Sequence, residues 1–71
     1  MLIDKNTARK IKIKRALNGI GIKKLAEELN TTYATLKKVE NGDYDVNRRI
    51  FNEIMNWLND YEETKNSNEI Y

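Results

Sequence analysis

Apolar residues along the chain recur at helical spacing and only briefly at strand spacing. Ala8, Ile11 and the stem of Arg15 share one face of a segment from about Asn6 to Asn18. Ile13 and Leu17 lie on another face, so the pattern leaves open which of the two meets the core. Strict alternation is confined to Ile11-Lys12-Ile13-Lys14, which is too short for a strand and is flanked by helix formers. Leu25, Ala26 and Leu29 form the inward face of a second helix, from about Ile22 to Leu29. Leu36 and Val39 are the buried pair of a third, from Tyr33 to about Glu40. Ile50, Ile54 and Leu58 repeat through a fourth, from about Asn47 to Asn59, with Phe51, Met55 and Trp57 beside them.

The punctuation agrees with these limits. Asp4 or Asn6 can cap the first helix, and Thr32 the third, because each offers a side-chain oxygen to the free N–H groups of a first turn. Asn30 tolerates the left-handed conformation of a turn, and Asn41-Gly42 ends the third helix, since glycine adopts positive φ without steric cost. The chain has no proline, and its glycines are Gly19, Gly21 and Gly42. The predicted fold is all-α, with four helices in residues 1–59. Residues 60–71 form a polar tail, or a short fifth helix if Ile70 and Tyr71 find a groove.

Composition narrows the function. Seventy-one residues make one domain. The chain lacks cysteine and histidine, and its one serine is Ser67, so there is no thiol nucleophile, no imidazole base and no zinc ligand set. An enzyme is not expected, nor a cofactor or metal. No apolar run approaches the roughly 18–20 residues of a membrane span, and Met1–Lys10 turns polar too early for a signal peptide. A cytoplasmic location is expected.

The net charge of +2 hides an uneven distribution. Residues 1–24 carry eight Lys or Arg against Asp4, a balance of +7. Residues 25–49 come to −1 and residues 50–71 to −4. A basic front and an acidic rear suit an oriented, negatively charged partner, although Lys-rich helices are also basic simply to stay in solution.

Two short helices joined by a tight Asn30-Thr31 turn make a helix-turn-helix pattern. More specific are Arg15, Gly19-Ile20, Leu25-Ala26 and Val39-Glu40-Asn41-Gly42 at these spacings. The stretch from Ala8 to Leu58 thereby resembles the Cro/CI-type (XRE) helix-turn-helix family of phage repressors. The resemblance implies a lambda-repressor-like domain, a small transcriptional regulator of phage or mobile-element type, and double-stranded DNA as partner. The chain departs from the family at Gly21 and Ile22, where relatives carry Ser or Thr and then Gln, a polar pair that caps the second helix and touches a phosphate. Lys14 also replaces a usual apolar residue.

The resemblance further implies that the third helix reads the major groove. Thr32, Tyr33, Ala34, Thr35 and Lys38 are then the base-contacting candidates. Lys38 suits guanine O6 or N7, the Ala34 methyl suits thymine, and Tyr33 can stack or hydrogen-bond. Tyr33 can equally cover the turn before its helix. Backbone-contacting candidates are Gly21, Ile22 and Lys23 through the start of the second helix, with Lys37, Asn41, Tyr44 and Arg48. Lys12 and Lys14 are assigned to a solvated face. Relatives often pair the residues at Arg15 and Glu40, so a partly buried ion pair is expected there. Dimerisation is expected too, because one small module binds weakly. Its surface is either Trp57 with Tyr61 or the Ile13/Leu17 stripe. The alternative function is a protein-interaction module, an antitoxin, anti-repressor or partner subunit that keeps the fold.

Overall fold

A computed structural model describes the backbone of residues 1–70 and the side chains of residues 1–59. It is a small helical domain of four helices: α1 (Lys5–Asn18), α2 (Ile22–Glu28), α3 (Tyr33–Asn41) and α4 (Arg48–Ile70). The described helical backbone of α4 runs on past Asn59, whereas the side chains expected to form a tail or an extra helix, Tyr61 among them, lie outside the described set. Among the described residues, no helix is long and apolar enough to cross a membrane.

Each helix start has a local cause. Asp4 is the cap of α1, its carboxylate accepting from the Thr7 N–H at 2.8 Å. That hydrogen bond favours the charged form, so the Asp4 carboxyl titrates below its ordinary value. Thr32 caps α3 through the Thr35 N–H at 3.1 Å, and Asn47 caps α4 through the Ile50 N–H at 2.9 Å. Gly21 caps α2 with backbone alone.

The ends of α1 and α2 share one device. After α1, Gly19 at φ +66° donates to the Ala16 carbonyl and Ile20 to that of Arg15. After α2, Asn30 at φ +54° donates to Glu27 and Thr31 to Ala26. In both, the paired bonds satisfy carbonyls that a helix end leaves without intrahelical donors, and the left-handed residue reverses the chain. The Asn30 reversal carries α2 directly into α3.

The core draws on every helix: Ala8 and Ile11 from α1, Leu25 and Ala26 from α2, Leu36 and Val39 from α3 and Ile54 from α4, with Leu29 just beyond α2. Burying a side chain such as Ile11 or Leu36 completely contributes about 1.5–3 kcal/mol. The open question about α1 is thereby answered. Its Ala8/Ile11 face is inward, while Ile13 and Leu17 are 52% and 66% exposed.

Two features depart from the sequence reading. The first is a small antiparallel ladder, β1 (Leu2–Ile3) with β2 (Tyr44–Asp45), in register Leu2 with Asp45 and Ile3 with Tyr44. It extends through the Val46 N–H, which donates to the Met1 carbonyl at 2.8 Å. The ladder seats Ile3, fully buried, and Val46 in the core. Two-residue strands are too short to leave a period in the sequence. The second is Lys14, which is buried rather than solvated. Its ammonium donates to the Trp57 carbonyl and lies 4.4 Å from the centre of the Trp57 ring. Burial of a lysine is tolerated when acceptors and an aromatic face replace its water.

Candidate nucleic-acid interface

The helix α3 has two unlike sides. Leu36, Val39 and Glu40 are buried, while Thr32, Tyr33, Ala34, Lys37 and Lys38 are exposed and Thr35 is half-buried. Four of the five base-contact candidates are therefore exposed, and all five lie within one short stretch. The Thr32 hydroxyl donates to the Thr35 hydroxyl oxygen at 3.0 Å while accepting from the Thr35 N–H. The Thr35 hydroxyl thus retains its own proton for an outside acceptor. Tyr33 is 50% exposed, so its ring is not part of the core that lies under the α2–α3 turn.

The buried side is held from below by Arg15 of α1. Its Nε donates to Glu40 Oε2 at 2.9 Å and its second terminal nitrogen to Oε1 at 3.0 Å, a two-point ion pair. The remaining terminal nitrogen reaches the Ile20 carbonyl at 3.3 Å. The Glu40 side chain is 5% exposed and that of Arg15 is 22% exposed. The pair fixes the C-terminal half of α3 against α1.

The backbone-contact candidates are spread over the elements around α3. Gly21 and Lys23 are exposed at the start of α2, and Ile22 is half-buried and packed on the core. Lys37 is exposed on α3, and Asn41 is exposed at its end. Gly42 at φ +87° and Asp43 at φ +54° then turn the chain into β2, where Tyr44 is half-buried. Arg48 is exposed in the first turn of α4. Lys37 lies 5.9 Å from the Tyr33 ring centre and Lys38 lies 5.8 Å from that of Tyr44. Among the described residues, neither lysine has an acidic partner.

Arg49 is a positioning contact that the sequence reading missed. It donates to the Asn30 carbonyl at 2.9 Å, tying the first turn of α4 to the α2–α3 turn. The Arg48-Arg49 pair was visible as charge, but which arginine meets a loop carbonyl depends on the tertiary arrangement.

A scan against family models finds no match for the chain, and searches among curated proteins and solved structures find no significant match either.

Proposed function

We propose that the chain binds double-stranded DNA as a small transcriptional regulator, a repressor in the manner of the phage proteins its sequence resembles. In this reading α2 and α3 are a helix-turn-helix, and α3 lies in the major groove, which is wide enough to admit it. The observation that carries the reading is the exposed strip Thr32, Tyr33, Ala34, Lys37 and Lys38, on a helix whose other side is buried. A rigidly seated helix with a polar, basic, partly aromatic outer face suits base edges flanked by phosphates. Lys38 and Thr35 offer donors to base acceptors, Ala34 offers a methyl contact, and Asn41, Tyr44 and Arg48 meet the backbone. The +7 balance of residues 1–24 adds long-range attraction.

A dimer suits this reading, since two modules would read half-sites about 34 Å apart. The exposed Ile13 and Leu17, one turn apart on α1, supply an apolar surface for it. The same pair favours a second reading, in which the chain uses this face to bind another protein.

Fluorescence anisotropy with duplex DNA at two salt concentrations tests the proposal. Binding that weakens steeply with salt is expected, because each neutralised phosphate releases about 0.9 of a counterion. Absence of binding at low salt would exclude DNA as the partner. Selection from a random duplex pool should return a sequence with two-fold symmetry.

A further inference from the structure

Lys38 is a three-proton donor on the exposed strip, yet an exposed lysine stem is conformationally loose. A loose donor attracts any phosphate and discriminates poorly between base edges, because holding it in one rotamer on binding costs entropy. Tyr44 supplies the restraint. Its ring centre stands 5.8 Å from the Lys38 ammonium, within the range of a cation–π contact.

The placement of that ring is built into the fold. Tyr44 follows α3 by a few residues and would run away from Lys38 if the helix simply continued. Instead, Gly42 and Asp43, both at positive φ, reverse the chain at the end of α3. Tyr44 then pairs in the ladder with Ile3, which is fully buried. Lys5 closes the corner from α1, with its ammonium 3.7 Å from the Asp43 carboxylate. The ring is half-buried and tethered through its backbone, while the lysine is exposed. The ring is therefore the fixed partner and the ammonium the guided one.

We propose that Tyr44 is a positioning residue for sequence discrimination, its ring presetting the direction in which Lys38 is offered to a base pair. The proposal rests on the DNA-binding reading and deepens it. A phosphate contact by Tyr44 alone would act on all duplexes alike. The ring acts differently, through the ratio between a preferred duplex and one altered at the base pair that Lys38 reads.

The test has two arms. In the free protein, NMR should show the Lys38 ε-methylene protons displaced by the Tyr44 ring current. The displacement should persist in Tyr44→Phe and vanish in Tyr44→Leu. On DNA, Tyr44→Leu should reduce the discrimination ratio by about two- to fivefold, the size of an exposed cation–π contact. Tyr44→Phe should keep the ratio, even if losing the hydroxyl weakens every duplex equally. In a Lys38→Met background, Tyr44→Leu should leave the ratio unaltered. Circular dichroism would verify that the variants fold. An unperturbed Lys38 signal in the free wild type overturns the proposal whatever DNA does. So does a ratio unchanged in Tyr44→Leu, or lost equally in Tyr44→Phe, while DNA binding itself stands. A wild type that shows the ring-current shift but binds no duplex overturns both the proposal and the DNA-binding reading.

Discussion

Arg15 and Glu40, twenty-five residues apart, meet through two parallel hydrogen bonds that join α1 to α3. The two ends of this bridge are unequal. Glu40 is nearly sealed from water, whereas Arg15 keeps partial access to it and a further bond to the Ile20 carbonyl. Removing one partner of a buried pair costs about 3–5 kcal/mol, mostly because the other charge is stranded. Arg15→Ala strands the sealed carboxylate, so its loss should approach that range. Glu40→Ala leaves a cation that can turn to solvent, and its loss should be smaller. Urea unfolding of both variants and of the double mutant should show strongly non-additive losses. Additive losses, or the reverse order, would contradict the geometry.

Gly42 should be the least replaceable glycine. Its φ of +87° with ψ of 161° lies in a region that is essentially restricted to glycine. A methyl group there would also stand 2.7 Å from Lys5 Cγ and 3.1 Å from Lys5 Cα, and the latter belongs to the backbone of α1. Gly42→Ala should cost about 3 kcal/mol or more, combining backbone strain with overpacking. Gly19 has positive φ but open space around it. Gly19→Ala should therefore cost only about 1–2 kcal/mol, the penalty of a left-handed residue. Thermal melts of the two variants compare them directly.

Lys14 should tolerate loss of its charge better than loss of its stem. Lys14→Met keeps the length that fills the site beside Trp57 and removes a cation from a buried position. Its cost should be smaller than that of Lys14→Ala, because the stem's packing is kept. Lys14→Ala opens a cavity and should cost about 2 kcal/mol or more. Trp57 is the only tryptophan in the chain, so its fluorescence monitors the site in both variants. A Lys14→Met protein as unstable as Lys14→Ala would show that the charge, not the packing of the stem, holds the helices together.

The cap of α1 should give the domain a component of acid sensitivity. The folded-state pKa of Asp4 is depressed by the Thr7 N–H. Its contribution to stability is therefore present above the unfolded value, about 3.9, and is lost as pH falls through the lower folded value. Asp4→Asn keeps a good cap without the titrating group. Stability measured from pH 5 to 2 should fall less steeply for this variant than for the wild type. Equal slopes would place the acid sensitivity elsewhere.

The helices were legible because each begins or ends with a residue whose chemistry is local. Thr32, Asn30 and Gly42 need only their immediate neighbours to act as caps and turns. The Arg15–Glu40 pairing is legible only through a resemblance, since residues so far apart share no local signal. Lys14 was misread for a related reason. Charge in a sequence suggests solvent, whereas the Trp57 carbonyl and ring that meet the Lys14 ammonium lie on another helix. Ile3, in a strand too short to have a period, escaped notice altogether. The exposed side of α3 could be listed from sequence. That Tyr44 returns alongside Lys38 could not, because the return depends on two successive residues at positive φ and on pairing with β1.

The ladder has a consequence for how the domain comes together. Ile3 and Ile54 belong to one buried cluster, although nearly the whole domain separates them along the chain. Neither half of the molecule holds a complete hydrophobic interior of its own. The apolar side chains that precede α4 are fully enclosed only when α4 packs on them. A fragment ending ahead of Ile54 would therefore leave uncovered the part of the buried cluster that α4 encloses.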